Sequence, residues 1–129
     1  MKPFTSQITF LSFRNYESGE AYLKEVLGLT PVYDTGWAVV FRAAGGACVG
    51  AVDHSRSSVR SGSAEGMLIS LTTSEIEHWH SHVTAQLGSE VSPIREIPDA
   101  GLKSFFFRGP EGYQFEIQQF LLPEAKNLF

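Results

Sequence analysis

The sequence predicts an α+β fold built from two similar βαβββ modules. The first observation is an internal duplication, in which a strand and a helix ending in Leu27-Gly28 return sixty residues later with the ending Leu87-Gly88. The second is that three further extended runs follow each helix, and a glycine turn joins the last two runs in both halves. Helices with one apolar face and strands rich in branched and aromatic residues bury those faces against each other. The duplication therefore predicts two equivalent sheets, each with its own helix.

The first module is predicted over residues 5–53, beginning with a strand at 8–13. Its helix begins near Asn15 or Ser18, both good N-cap residues, and ends at Gly28, because glycine adopts the left-handed C-terminal conformation easily. Three strands rich in Val, with single Tyr, Phe and Trp residues, follow at residues 30–34, 37–42 and 47–52.

The second module is predicted over residues 67–121, beginning with a strand at 68–72. Hydroxyl residues at 72–74 are candidate caps for a helix whose apolar side chains recur every three or four positions. Those apolar side chains are Ile76, Trp79, Val83 and Leu87. Strands are predicted at 91–96, 104–108 and 114–120.

A polar segment and an apolar tail complete this single predicted domain of residues 1–129. Residues 54–66 are small and polar, which is typical of a linker or flap between the modules. Residues 122–129 are unusually apolar for a chain end, and we expect them to pack on their own module, with a subunit contact as the alternative.

Composition excludes several classes of protein. The formal charge of -4 comes without a basic cluster, so nucleic acid is not an expected partner. No apolar stretch approaches the roughly 20 residues needed to cross a bilayer, and the start lacks a secretory signal, so we expect no membrane partner and a cytoplasmic location. The single cysteine, Cys48, fits a reducing compartment.

Two stretches resemble the vicinal oxygen chelate superfamily, which includes glyoxalase I, extradiol dioxygenases, fosfomycin-modifying enzymes and bleomycin resistance proteins. They are residues 18–29, at the end of the first helix, and residues 107–117, where Gly109 stands in place of the aspartate common in the family. The resemblance implies curved mixed sheets that enclose a cleft, and a homodimer. It is specific for fold and weak for activity, because one fold hosts several chemistries.

The resemblance also places four metal-ligand positions, on the first and last strand of each module. In this sequence they fall on Gln7, Gly50, Met67 and Glu116. Only Gln7 and Glu116 have ligand atoms, whereas a catalytic site takes at least three protein ligands. We therefore expect no cofactor. The alternative is one divalent metal ion held by Gln7, Glu116 and, after a slip in alignment, Glu65.

Strand alternation predicts which side chains line the cleft. Gln7 and Glu116 are taken as inward, so Ile8 and Phe10 are expected to face the helix. The central strand of the first module places inward either Trp37, Val39 and Phe41 or the opposite set. In the second module we favour Phe105 and Phe107 inward, with Phe106 as the alternative. The predicted ligand-binding residues are Gln7, Thr9, Leu11, Trp37, Phe41, Cys48, Gly50, Met67, Phe105, Phe107, Gln114, Glu116 and Gln118.

Three histidines, His78, His80 and His82, crowd the second helix. His78 and His82 share one face at a spacing that suits zinc. That face lies opposite the apolar stripe, so we expect these side chains to point to water.

These patterns leave three functional hypotheses. The preferred one is a metal-free, homodimeric binding protein of the bleomycin resistance type, which takes a small aromatic or amphipathic, antibiotic-like molecule. The second is a metal-dependent lyase or dioxygenase that acts on vicinal oxygens. The third is a metal-free enzyme with Glu116 as its catalytic general base.

Overall fold

A computed structural model of the chain describes residues 2–58, 62 and 64–129. The chain forms two compact units, divided between Ser63 and Ala64. This division lies inside the predicted linker, residues 54–66. Each unit contains one four-stranded mixed sheet and a helix, so the predicted α+β fold of two βαβββ modules is confirmed.

The first unit has the strand order β1-β4-β3-β2. Its first strand is parallel to its last, and the other neighbours are antiparallel. A helix, α1, links the first two strands, and a π-helical turn over Tyr22–Val26 continues it. The elements are β1 (Gln7–Phe13), α1 (Tyr16–Ala21), β2 (Thr30–Asp34), β3 (Ala38–Ala44) and β4 (Ala47–Asp53).

The predicted ends of the first helix are confirmed. The Asn15 side-chain oxygen accepts a hydrogen bond from the Ser18 N–H at 3.0 Å, which is the geometry of an N-cap. Gly28 has a φ of 63°, in the left-handed region that favours glycine. At Gly19 the helix comes so close to β1 that a Cβ atom would overlap the Phe13 ring.

The second unit repeats this topology with the order β5-β8-β7-β6. The strand predicted at 91–96 is shorter and later than expected. Pro93 has no N–H to donate to a neighbouring strand, so regular pairing starts only at Arg95. The elements are β5 (Leu68–Thr72), α2 (Ile76–Leu87), β6 (Arg95–Ile97), β7 (Leu102–Arg108), β8 (Gln114–Phe120) and α3 (Pro123–Lys126).

The C-terminal tail packs on its own unit, as the sequence predicts. Helix α3 turns the chain back, and the Phe129 ring stacks on the Phe120 ring with centroids 4.9 Å apart. A Cβ atom at Gly101 would lie 2.7 Å from the Leu122 side chain, so the tail lies directly against the turn before β7.

Of the two α2 histidines predicted to point to water, His78 is exposed, whereas His82 is half-buried. The third, His80, is half-buried between the helix and the sheet. Its ring meets the Phe105 ring edge-on at 4.8 Å, and its Nε2 lies 2.9 Å from the Ser92 carbonyl oxygen. Because a carbonyl only accepts, Nε2 carries the proton in this bond.

Tyr16 makes the stability of the first unit depend on pH in the alkaline range. Burial, helped by the nearby carboxylates of Glu20 and Asp34, raises the Tyr16 pKa from 10.0 to about 12. Within the described residues its buried hydroxyl oxygen has no hydrogen-bond partner. The folded protein therefore binds this proton more tightly than the unfolded chain does. The stability that the protonated Tyr16 hydroxyl provides, compared with the ionised one, is fully present below pH 10 and is lost as the pH rises towards 12.

We therefore expect Tyr16→Phe to raise the free energy of unfolding at pH 7 by about 1 kcal/mol, because it removes a buried unpaired hydroxyl. The variant should also lose less stability than the parent between about pH 10 and pH 12, which urea denaturation at several pH values measures. A parent and variant with parallel pH profiles would contradict this assignment.

Candidate functional site

The face of each sheet that lies opposite its helix is called here the open face. In the second unit, the Phe105 ring contacts His80 of α2, so Phe105 is on the helix side. Successive residues of a strand point to opposite faces, which puts Phe106 on the open face. The strand register pairs Phe106 with Glu116, and Glu116 with Ser70. These three side chains therefore stand side by side across three strands.

Glu116 is the centre of this arrangement. It is only 9% exposed, and its Oε1 accepts a hydrogen bond from the Ser70 hydroxyl at 2.7 Å. The neighbouring apolar side chains on the same face, Leu68 and Phe106, are 47% and 42% exposed. A largely buried carboxylate beside accessible aromatic surface is able to bind a group that brings a positive charge or a hydrogen-bond donor.

The open face of the first unit has the same layout with different chemistry. The register pairs Phe10 with Gly50 and Ile8 with Cys48. A Cβ atom at Gly50 would lie 2.6 Å from the Phe10 ring, so the absence of a side chain lets this ring lie against the sheet. The ring is 52% exposed, while Cys48 is buried. Cys48 lies on the same face as Gly50, two residues along the strand.

The predicted orientation of β1 is wrong. Leu11 was expected to line the cleft, but Leu11 and Phe13 are both buried on the helix side, with Phe13 against Gly19. Gln7 and Thr9 share their side by alternation. The exposed aromatic side chain of this strand is Phe10, which was expected to face the helix.

The same correction applies to the central strands. Phe105 and Phe107, favoured as cleft residues, are buried on the helix side in stacked contact with each other, and the alternative, Phe106, is on the open face. Phe41 is likewise fully buried, in register with Val49 on the helix side. Their contacts make these rings part of the core.

The other predicted residues lie at the following places. Gln114 and Gln118 alternate with the buried Phe115 and Ile117 and share the open face with Glu116, as expected. Trp37 lies just before β3, where the Arg56 guanidinium covers its ring at 4.7 Å from the centroid. Met67 lies one residue before β5, and Glu65 is exposed in the preceding turn.

Sequence reasoning missed Ser70, Ile8 and Leu68 as open-face residues. In the second unit a local signal existed, because β8 reads Gln-Phe-Glu-Ile-Gln. This alternation puts polar side chains on one face of the strand and apolar side chains on the other. Pairing that strand with β5 would have pointed to Ser70. For Ile8 in β1 no such signal exists, since both of its alternate sets contain large apolar residues.

The donor atoms within each unit do not fit a resident catalytic metal. The register partners of Glu116 are Ser70, which adds a hydroxyl, and Phe106, while the partner of Gly50 on β1 is Phe10. Gln7, the other predicted ligand, lies on the helix side of β1 by alternation. In residues 2–58, 62 and 64–129, no group of three or more His, Cys, Asp or Glu side chains is placed to hold a metal ion.

The described part of the chain contains no helix that is both long and apolar enough to cross a membrane.

Comparison with known structures shows the same fold. A lactoylglutathione lyase from Agrobacterium tumefaciens is 22% identical, with a TM-score of 0.69 over 92% of this chain and 95% of that chain. TioX from Micromonospora sp. ML1 is 17% identical, with a TM-score of 0.74 over 92% of this chain and 100% of that one. The fosfomycin resistance protein FosX from Listeria monocytogenes is 14% identical, with a TM-score of 0.66 over 98% of both chains.

No curated protein sequence matches the chain. The sequence profile of one family, however, matches residues 8–117, which include every strand of both sheets except parts of the first and last. The chain therefore belongs to the Glyoxalase/Bleomycin resistance protein/Dioxygenase superfamily.

Proposed function

We propose that this protein binds a small, flat, cationic or donor-bearing organic molecule without the help of a metal, in the manner of the bleomycin resistance branch of its superfamily. The observation that carries the proposal is the open face of the second unit. There, Glu116 is a buried carboxylate with one hydroxyl partner, and it lies beside the accessible Phe106 ring.

Each part of this face favours the same class of ligand. An aromatic ring stacked on Phe106 gains about 0.5–1.5 kcal/mol beyond its area burial. A cationic or N–H group of the ligand meets the Glu116 carboxylate in a poorly hydrated place, where a charge-assisted hydrogen bond is about twice as strong as a neutral one. The two contacts together select planar molecules that bear a positive group at one edge.

The donor set supports a metal-free mode of binding over the lyase or dioxygenase alternative. That alternative requires Gln7 and Glu65 beside Glu116, yet Gln7 is at the exposed start of β1 on its helix side. A carboxylate that accepts a hydrogen bond from Ser70 is well suited to an organic ligand, since no third donor is required.

The homodimeric state and the cytoplasmic location belong to this proposal as well. The resemblance to the family supports the dimer, and so do the accessible apolar side chains Ile8, Phe10 and Leu68 on the two open faces.

Proflavine, a planar aromatic cation, and bleomycin, an antibiotic with aromatic and cationic groups, are suitable probes for this proposal. We expect chelator-treated protein to bind at least one of them in calorimetry. Glu116→Gln, which keeps the shape but removes the charge, should raise the Kd about tenfold or more. Glu124→Gln removes one exposed carboxylate from α3 and is the matched control, with an expected Kd within twofold of the parent.

Two results would contradict the proposal. One is binding that appears only after a divalent metal is restored, together with about one metal ion per chain in elemental analysis, which favours the lyase or dioxygenase. The other is equal affinity in the parent and in Glu116→Gln.

A further inference from the structure

The outer edge of β7 is held at Phe106 by a single residue. Strand β6 pairs with β7 only from Leu102 to Ser104, so it ends before Phe106. Beyond that point Ser92 takes over. Its N–H donates to the Phe106 carbonyl oxygen at 2.9 Å, and its hydroxyl oxygen accepts from the Phe106 N–H at 2.8 Å. The Ser92 side chain thus replaces the carbonyl that a neighbouring strand would provide.

Ser92 is itself fixed from the helix. Its carbonyl oxygen accepts a hydrogen bond from His80 Nε2 at 2.9 Å, and the His80 ring meets the Phe105 ring edge-on. Its hydroxyl lies 3.3 Å from the Pro93 carbonyl oxygen, a long bond that orients the hydroxyl with its lone pairs towards Phe106. A continuous set of contacts therefore runs from α2 through Ser92 to the main chain at Phe106.

This edge of the sheet borders open space. A cavity of about 610 Å³ lies between the segment that contains Ser92 and the ends of β7 and β8, with Phe106, Arg108 and Gln114 among its lining residues. Side chains packed in a core hold a strand end by contact on all sides. On its cavity side, the end of β7 lacks such packing contacts. The two hydrogen bonds to Ser92 therefore contribute more to fixing the main chain at Phe106.

We propose that Ser92 is a positioning residue for ligand binding, and that it acts by fixing the direction in which the Phe106 ring projects beside Glu116. The inference rests on the proposed function, since it assigns a role within that site. Phe106 and Glu116 are register partners on adjacent strands, so a rotation of the Phe106 backbone moves the ring relative to the carboxylate. Ser92 has no need to touch the ligand for this effect.

A double-mutant cycle with proflavine, or with bleomycin if only that probe binds, tests the role of Ser92. We expect Ser92→Ala to raise the Kd three- to tenfold in the parent. In a Phe106→Leu background, where no ring remains to be positioned, Ser92→Ala should change the Kd by less than twofold. Ser92→Thr keeps the hydroxyl and should restore binding to within twofold of the parent. Equal effects of Ser92→Ala in both backgrounds would overturn the proposal.

Amide hydrogen exchange gives a second measurement that does not depend on a ligand. The Phe106 amide should exchange at least tenfold faster in Ser92→Ala than in the parent, while the Phe115 amide in the neighbouring strand should be unchanged. An unchanged Phe106 amide would overturn the proposal even if binding were weakened.

The two proposals fail in different ways. Loss of binding in Glu116→Gln with an unaltered Kd in Ser92→Ala removes the role of Ser92 and leaves the proposed function standing. Parent protein that binds neither probe removes the proposed function, and with it the role of Ser92.

Discussion

Phe105→Ala is expected to lower the free energy of unfolding by about 4 kcal/mol, because it deletes a large aromatic ring from a closed core. Phe105 is fully buried, stacks on Phe107 with ring centroids 5.8 Å apart, and meets the edge of His80 on α2. Truncation removes contacts to both the helix and the sheet and leaves a cavity between them. Urea denaturation followed by tryptophan fluorescence measures the change.

Phe106→Ala is the matched control, one position along the same strand. Its ring is 42% exposed on the open face, so we expect a loss of no more than about 1 kcal/mol. The same variant should weaken binding of the aromatic probe. If Phe105→Ala proved as mild as Phe106→Ala, the assignment of the two faces would be wrong.

Gly19→Ala is expected to lower the free energy of unfolding by about 2 kcal/mol, although it adds only one methyl group. Alanine favours a helix over glycine by about 1 kcal/mol, so helix propensity alone predicts stabilisation. Against this, the added Cβ atom would overlap the Phe13 ring, which is fully buried and has no room to withdraw. Overpacking of this kind costs about 1–3 kcal/mol, occasionally more, and we expect this cost to exceed the gain in helix propensity.

Two further variants test the cause. Gly62→Ala adds the same methyl group where no atom lies within 4 Å of it, and should leave stability unchanged. A second change, Phe13→Leu, makes space beside position 19, so Gly19→Ala should cost clearly less in that background. Stabilisation by Gly19→Ala in the parent would mean that α1 and β1 are further apart than described.

Much of the fold was predictable because the two halves of the sequence repeat each other. Gly28 and the succession of a strand, a helix and three strands follow from local signals that occur in both halves, Gly88 being the counterpart of Gly28. The Asn15 cap is a signal of the first half alone, because α2 begins after Glu75 without a side-chain cap, and not at a hydroxyl cap among residues 72–74 as predicted. The segment at residues 91–96 was mistaken for a regular strand because its composition suits one. In the structure, Ser92 pairs with Phe106 through both its side chain and its main chain. Amino-acid composition does not predict this kind of pairing.

The faces of the strands were predictable only where polarity alternates. Strand β8 alternates polar and apolar side chains, and the predicted orientation of Glu116 agrees with the structure. Strand β1 has large apolar residues in both of its alternate sets, so its pattern fits either orientation equally well. Its orientation depends on two tertiary contacts, of Phe13 with Gly19 and of Phe10 with Gly50. The polarity pattern of β1 does not predict either contact.

The central strand β7 presents the same difficulty in a stronger form. Three consecutive phenylalanines occupy positions 105–107, and any register buries at least one of them. Only the pairing of Phe106 with Glu116 decides which ring is accessible. Apolar side chains on both faces of a strand are therefore the physical reason why the site residues were harder to predict than the fold.

The Phe10 ring over Gly50 also bears on how this lineage is able to evolve. A side chain introduced at position 50 would meet the Phe10 ring where it now lies, so an acidic residue there requires the ring to move or position 10 to carry a smaller residue. A smaller residue at position 10 alone would remove the accessible aromatic ring of Phe10 from the first sheet without adding a carboxylate at position 50. The two positions are thus expected to be epistatic, since the cost of an acidic residue at position 50 depends on which side chain occupies position 10.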